Sequence, residues 1–370
     1  MLNIGEKIKL LRKQQDVTQE KLAAYLNISY QAVSKWENGT AYPDITLVPS
    51  IANFFGVSSD ELLGMRKCDE NDELKEYESV YHENNRQGKV FDNIVLSREV
   101  LKKYPRNYQW MLNLAYPLMQ YNDTDEHQKY SREHKFLEEA VAICERILED
   151  CTVDSIRHSA IQILCYNYPH FGKKDEAVKL ANEMPDFAIC RGELLFHIYD
   201  GEEKIKCGQE NLLSMIDISA GLLHCMAFDR QTSKGLSVRD KIKFLETANT
   251  LFRAVLQEDE DGLFYNCRLS WNYRKLAELY STLNEKDKAM EYLLLAERSA
   301  KMYDSSLDLG EQKYKSIFAN RCTFNPKSVG KNWQGTECEL LYKQTLERGF
   351  DNLRKLHEFI ELQQRLNKMS

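Results

Sequence analysis

The stretch TQEKLAAYLNISYQAVSKWENG, residues 18–39, decides the fold of the N-terminal part of this chain. Its apolar residues recur at three- and four-residue steps, which predicts two short helices that each bury one face. Thr18 and Ser29 stand where helix N-caps are expected, and Gly39 stands where the second helix ends with positive φ. About three residues separate the two helices, so they are expected to cross steeply.

Further helices are predicted on both sides of this stretch. An apolar stripe runs from Ile4 to Leu11 on an earlier helix. A proline turn is followed by a fourth helix at about 46–55 and by a short fifth helix capped near Ser58 or Ser59. The five helices form a single small unit in which the second and third helices make a helix-turn-helix.

The third helix has an outward face that suits hydrogen bonding to nucleic acid. Ala32, Val33 and Trp36 can face the other helices, with Trp36 expected in the core. A glutamine amide can pair with adenine, and a lysine can donate to guanine or to a phosphate. A solvated helix face is the alternative interpretation. The outward residues are Tyr30, Gln31, Ser34 and Lys35.

The order of motifs resembles the Cro/repressor-type (XRE) helix-turn-helix family over about residues 3–64. The motifs are T-Q-x-x-L-A, V-S-x-W-E-N-G, P-x-x-x-x-L and G-V-S-x-D-x-L-L. The resemblance implies a five-helix domain that places its third helix in the major groove of an operator. It also implies that Gln19 contacts the DNA backbone. In such proteins the residue matching Arg12 can pair with the one matching Glu37, so Arg12 is either a DNA contact or a structural residue.

The predicted DNA-contact set therefore combines the outward face with the positions that the resemblance implies. Phosphate contacts commonly outnumber base contacts, so most of the set is expected to meet the DNA backbone. The set is Arg12, Gln19, Ser29, Tyr30, Gln31, Ser34, Lys35 and Asn38.

Charge is distributed unevenly along the 370 residues. The formal net charge is −7, with +1 in residues 1–67 and −8 in residues 68–370. Contact with double-stranded DNA is therefore expected only in the N-terminal part.

The composition favours a cytoplasmic protein without cofactor or metal. Ten cysteines are scattered without a C-x-x-C pair, and the eight histidines lack zinc-like spacing. We find no phosphate loop and no nucleophile–base set, so we do not expect an enzyme. No stretch is expected to reach the roughly 20 consecutive apolar residues of a membrane-spanning helix, which predicts a soluble protein without a membrane partner.

The rest of the chain is predicted to be helical. A shift to charged residues places a linker at 66–75, between a DNA-binding domain at 1–65 and a helical domain at 76–370. Helix–turn–helix units recur in the helical domain, at residues 77–105, 161–185 and 273–300.

These units resemble the tetratricopeptide repeat, whose helix pairs recur with a 34-residue period. Aligning their turns brings together Tyr77, Ile161 and Tyr273, and sixteen residues later Asn93, Ala177 and Ala289. Asn93 is larger than the small residue expected there, and residues 121–132 interrupt another unit. The predicted fold is thus all-α: a five-helix repressor-type domain followed by a degenerate tetratricopeptide-like array.

Stacked helix pairs leave their first helices along a concave surface that suits an extended peptide or a partner helix. Arg274 could hold a carboxylate or a phosphate, and Gln162 could bond a peptide backbone. Each residue could equally be an ordinary surface position. The predicted lining residues are Glu78, His82, Gln162, Tyr166, Trp271, Arg274 and Glu278.

Two functions follow from this organisation. The first is a homodimeric transcriptional regulator that reads two operator half-sites and whose array senses a ligand, with a short peptide as the leading effector, or mediates assembly. The alternative is a scaffold that uses the array to bind and inhibit a partner protein, with DNA binding secondary. Residues 316–337 are predicted to form a loop, which is either an ordered connector or a flap or contact segment. Residues 340–367 can cap the array or join a partner subunit.

Overall fold

The computed structural model describes residues 4–63, 67–122, 124–256 and 262–368. The chain divides into two compact units, one ending at Val80 and the other beginning at Tyr81. The predicted domain boundary at residues 65 and 66 lies outside the described residues. Residues 67–75 of the predicted linker are helical.

The N-terminal unit contains the helices that the sequence predicts. A 3₁₀ turn at Ile45–Leu47 precedes the fourth helix. The helices are α1 (Ile4–Gln14), α2 (Gln19–Leu26), α3 (Tyr30–Glu37), α4 (Val48–Phe55) and α5 (Ser59–Leu62), and α6 (Lys67–Gln87) spans the division between the two units.

One hydrophobic core joins α1 to α5. Ile8, Leu22 and Val33 are fully buried in it, and Trp36 is buried as predicted. Residues from five different helices meet here, because each helix is apolar along one stripe only.

The second unit is a series of packed helices. Most neighbouring helices in the chain are also neighbours in space, as expected for a repeat array. The helices are α7 (Val90–Lys103), α8 (Tyr108–Gln120), α9 (Asp125–Glu133), α10 (Phe136–Asp150), α11 (Asp154–Asn167), α12 (Lys174–Ala181), α13 (Arg191–Ile198), α14 (Gly201–Phe228), α15 (Val238–Leu256), α16 (Tyr265–Thr282), α17 (Lys286–Leu307), α18 (Glu337–Thr345) and α19 (His357–Asn367).

The turns of the three aligned repeat units have the same backbone geometry. Gly88, Gly172 and Asn284 lie eleven residues after the aligned first positions, and all three have positive φ, between +58° and +72°. This left-handed residue ends the first helix of each pair. The all-α fold class and the repeat register predicted from the sequence are confirmed.

The interrupted unit is also a helix pair. α8 packs on α10, and α9 occupies the interruption between them. The array has two hydrophobic clusters, one between residues 94 and 177 and the other between residues 213 and 366.

Two features of the second unit differ from the expectations. Residues Gln312–Lys313 (β1) and Thr323–Phe324 (β2) form a short antiparallel ladder, with Gln312 opposite Phe324. By length and composition alone, α14 could cross a membrane, so the expectation that no stretch approaches that length is wrong. Its charges cluster near its N-terminus and leave an apolar remainder, and only 17% of the most apolar window is buried.

Candidate functional site

The turn between α2 and α3 is built from local hydrogen bonds. The Thr18 hydroxyl accepts from the backbone N–H of Lys21 at 3.2 Å, and the Ser29 hydroxyl accepts from that of Ala32 at 3.3 Å. Asn27 takes the left-handed conformation at the end of α2. Both predicted caps are present: Thr18 fixes where α2 begins, and Ser29 fixes where α3 begins.

The polar face of α3 is solvent-accessible. Gln31 and Lys35 are exposed, the Tyr30 ring is half exposed, and Ser34 is partly buried. The exposed Asn38 amide lies 3.5 Å from the Ser34 hydroxyl, beyond the C-terminus of α3. The structure therefore places these five predicted residues along one helix and its end, free to meet a ligand.

Arg12 and Gln19 lie in a different environment, around a buried carboxylate. Glu37 is 5% exposed, and its two carboxylate oxygens accept from Arg12 Nε and Nη2 at 2.7 and 2.9 Å. Gln19 Nε2 donates to the same carboxylate at 2.9 Å, and Arg12 Nη1 donates to the Val17 carbonyl at 2.8 Å. Arg12 therefore ties α1 to the end of α3, which is the structural alternative considered for it above.

The network sets the charge state of Glu37. Burial raises the pKa of its carboxyl group, but the hydrogen bonds from Arg12 and Gln19 outweigh burial, so the net pKa lies below its usual value. The hydrogen bond to Glu37 raises the pKa of the Arg12 guanidinium. Both groups are charged at neutral pH.

A pH dependence of stability follows from the lowered pKa of Glu37. A carboxylate whose pKa is lowered by folding stabilises the protein above its unfolded pKa of about 4.3, and this contribution is lost as pH falls through the folded value. We expect the difference in stability between wild type and Glu37→Gln to shrink between about pH 5 and pH 3. Hydrogen exchange in α1–α5 across this range measures it, and a pH-independent difference would contradict it.

The predicted lining residues of the array divide into exposed and buried groups. Glu78, His82, Gln162 and Tyr166 are exposed. Tyr116 of α8 donates to Gln162 Oε1 at 3.4 Å, which joins the polar faces of α8 and α11.

On α16 the lining prediction is met only in part. Trp271 is exposed, but Arg274 is only 4% exposed. Burial lowers the pKa of Arg274, while Glu278, Glu347 and Glu337 act in the opposite direction. The guanidinium thus has carboxylates of its own chain around it, because α18 and the segment after it fold back over α16.

Sequence reasoning missed polar residues on α8. Gln109, Asn113 and Tyr116 follow one another at helical spacing and are at least partly exposed. Gln109 Nε2 donates to Asn113 Oδ1 at 3.1 Å. The sequence identified α8 as part of an interrupted unit but did not place its polar residues on the lining surface, although their helical spacing and the Asn107 cap were available as signals.

A second missed residue is His224 of α14. Its ring lies 4.5 Å from the Trp271 ring and 4.7 Å from the Phe228 ring, measured between centroids. Burial, together with the charges of Lys275 and Arg274, lowers its pKa to about 4. A neutral imidazole therefore packs against the Trp271 ring.

Comparison with known proteins bears on the N-terminal unit. The helix-turn-helix family model matches residues 8–62, which include α2, α3 and the capped turn between them. These residues form a helix-turn-helix domain.

Three relatives share this helix-turn-helix domain. The transcriptional activator BcrR of Enterococcus faecalis is 44% identical over 62 residues, which are 17% of this chain and 30% of BcrR. The prophage-derived regulator YonR of Bacillus subtilis is 37% identical over 59 residues, 16% of this chain and 55% of YonR. The antitoxin PezA of Streptococcus pneumoniae is 39% identical over 64 residues, 17% of this chain and 40% of PezA. The match spans about half or less of each relative, and the helical array lies outside it.

Two solved structures align with most of the chain at low similarity. Bacillus thuringiensis PlcR, crystallised in complex with the peptide PapR7 and DNA, is 13% identical over 81% of this chain and 96% of PlcR, with a TM-score of 0.32. Apo ComR from S. thermophilus is 14% identical over 82% of this chain and 96% of ComR, with a TM-score of 0.22. These scores are too low to establish a shared arrangement of helices.

Proposed function

We propose that this protein is a cytoplasmic, homodimeric transcriptional regulator that binds operator DNA through α3. The exposed polar face of α3, held by the capped turn and by the Arg12–Glu37 pair, is the observation that supports it. A helix with an exposed amide in its first turn and an exposed ammonium in its last turn can reach base edges and phosphates in the major groove. The neighbouring positions Gln19, Ser29, Tyr30, Ser34 and Asn38 are proposed to contact the DNA backbone.

The helical array is proposed to sense a short peptide. The helices α8, α11 and α16 carry amide or aromatic side chains that are at least partly exposed, and the side chains of α8 and α11 are in contact. Amides can satisfy the backbone groups of an extended peptide, and aromatic rings can cover its side chains. The residues that support this proposal are Asn113, Tyr116, Gln162, Tyr166 and Trp271.

The experiment that tests the function is genome-wide mapping of binding sites by chromatin precipitation of the full chain. A palindromic site with two half-sites would support a dimeric regulator. Binding to the best site is then repeated with peptides from the culture medium, and an affinity change would support peptide sensing. The absence of any enriched site would contradict the proposal and favour the protein-binding scaffold.

The exposed face of α14 is the surface that we assign to the dimer. Met215, Ile218, Leu222 and Met226 recur along it at three- and four-residue steps, and each is at least 38% exposed. Between residues 211 and 228 the helix has one carboxylate, Asp217, which pairs with Arg268 at 3.2 Å. An uncharged face does not suit DNA, whereas reading two half-sites requires a second copy of the chain.

Replacing Leu222 with aspartate is therefore expected to disrupt the dimer. An unpaired carboxylate at the centre of an apolar interface costs about 2 kcal/mol or more, which raises the dimer dissociation constant by about 30-fold. Sedimentation equilibrium of the full chain measures this constant. Val178→Asp on α12, at a similarly exposed valine, is the matched control. An unchanged constant for Leu222→Asp, or binding of the wild-type chain to lipid vesicles through α14, would contradict the assignment.

A further inference from the structure

Residues 331–336, here called the strap, connect distant parts of the array. The backbone N–H of Lys331 donates to the Asn85 carbonyl of α6 at 2.8 Å. Beside it, Gly88 lies so close to the strap that a Cβ there would be 1.8 Å from the Trp333 carbonyl oxygen. Two segments about 240 residues apart thus meet without room for one methyl group.

A buried amide network stabilises the α6–α7 turn against which the strap packs. Asn93 is fully buried, and its Nδ2 donates to the Asn85 side chain at 2.8 Å and to the Tyr81 carbonyl at 3.1 Å. Asn84 Nδ2 donates to Asn93 Oδ1 at 3.0 Å. This network explains why asparagine replaces the small residue of the repeat at position 93, since it fixes the α6–α7 turn that receives the strap.

The other end of the strap is tied to α17 and α16. The carboxylate of Asp304 accepts from the backbone N–H groups of Glu337 and Cys338 at 2.8 and 2.9 Å. Glu337 itself is 4% exposed and is hydrogen-bonded by Ser270 of α16. Arg274, one turn further along α16, also acts on Glu337 electrostatically. The strap therefore ends beside the buried Arg274 and beside Ser270, the residue before the exposed Trp271 of the predicted ligand surface.

The strap also bridges the two hydrophobic clusters of the array. The α6–α7 turn leads into the cluster between residues 94 and 177, whereas α16 and α18 belong to the cluster between residues 213 and 366. A movement of α16 relative to the cluster between residues 94 and 177 must strain the strap or break its contacts, because packed elements shift between discrete arrangements.

We propose that the strap couples the ligand surface on α16 to the α6–α7 turn. A ligand that shifts α16 displaces Glu337. This displacement weakens or strengthens the contacts of the strap with Asn85 and Gly88. α6 is the helix that follows the helix-turn-helix domain in the chain, so the change reaches the segment next to the DNA-binding domain. The proposal rests on the proposed function, in which the array senses a ligand.

The test uses a matched pair of glycine substitutions in the full-length protein. Gly88→Ala and Gly172→Ala impose the same left-handed strain, at φ +69° and +72°, in equivalent turns. A Cβ at Gly172 meets nothing within 4 Å, whereas a Cβ at Gly88 collides with the strap. The difference between the two variants therefore reports the strap alone.

Hydrogen exchange is measured without DNA or ligand. We expect Gly88→Ala to speed exchange at least about tenfold in residues 331–337 and in α16 near Arg274, relative to Gly172→Ala. Faster exchange confined to the strap would overturn the coupling, as would equal exchange in the two variants. If Gly88→Ala does not fold, Lys331→Pro, which removes the donor to Asn85, is expected to give the same pattern, and exchange like that of wild type would overturn the proposal.

The outcome is separable from the proposed function. A wild-type chain that binds no DNA would contradict the proposed regulator, whereas the exchange comparison would still decide the coupling. A wild-type chain that binds its operator, together with unchanged exchange in α16 of Gly88→Ala, would overturn the coupling and leave the regulator in place.

Discussion

Arg12→Ala is expected to destabilise the helix-turn-helix domain by about 3–5 kcal/mol, the loss typical of removing one partner from a buried ion pair. The Glu37 side chain is only 1% exposed, so its carboxylate would be left without its cation and without access to water. The two hydrogen bonds that join α1 to the end of α3 would be lost as well. Most of the stability of so small a domain would disappear.

Lys13→Ala is the matched control for this substitution. Lys13 is the next residue of α1, is exposed and carries the same charge. Hydrogen exchange of the amides in α1–α5 of the full chain separates the stability of this domain from that of the array. If Arg12→Ala were as stable as Lys13→Ala and yet bound DNA poorly, Arg12 would be a DNA contact and the structural role would be wrong.

The double substitution Gln31→Ala with Lys35→Ala is expected to weaken operator binding and leave the fold intact. Each specific pair with a base is worth about 1–3 kcal/mol, which is about 5- to 150-fold in affinity. Both side chains are exposed and do not belong to the core of the domain, so stability should change little. Fluorescence anisotropy with the mapped operator measures the affinity, and hydrogen exchange in α1–α5 checks the fold.

The single variants distinguish base contact from phosphate contact. Loss of a base contact at Gln31 should relax sequence preference at one position, whereas loss of a phosphate contact at Lys35 should lower the salt slope by about one. Lys7→Ala with Asn53→Ala removes the same charge and one amide from α1 and α4, and serves as the control. Operator affinity equal to that of this control would remove Gln31 and Lys35 as DNA contacts.

Features that depend on neighbouring residues were predictable from the sequence. The caps at Thr18 and Ser29 need only a hydroxyl and a backbone N–H three residues later, so composition and spacing determine them. The turns at Gly88 and Gly172 follow from glycine's freedom to take positive φ, and Asn284 takes the same conformation in the third unit. These local rules were sufficient for the five N-terminal helices, for the all-α class and for the repeat register.

Features that depend on burial were not predictable. Arg274 occupies a position that repeat geometry makes a lining residue, but it is buried, and the segment after α18 packs on α16. The pairing of α8 with α10 was predicted as an interrupted unit, but the contact of Tyr116 on α8 with Gln162 on α11 was not. In both cases the deciding neighbour is far away in sequence, and periodicity within one helix contains no information about it.

The sequence by itself determined where α2 and α3 begin, where the aligned repeat turns lie and which face of α3 is polar, because caps, turns and amphipathic stripes are local properties. Only the tertiary structure decided that Arg12 pairs with Glu37, that Asn93 stabilises a turn and that residues 331–336 pack against Gly88. Those roles depend on which groups are brought together and shielded from water, since burial makes an unpaired charge or amide costly and a paired one specific.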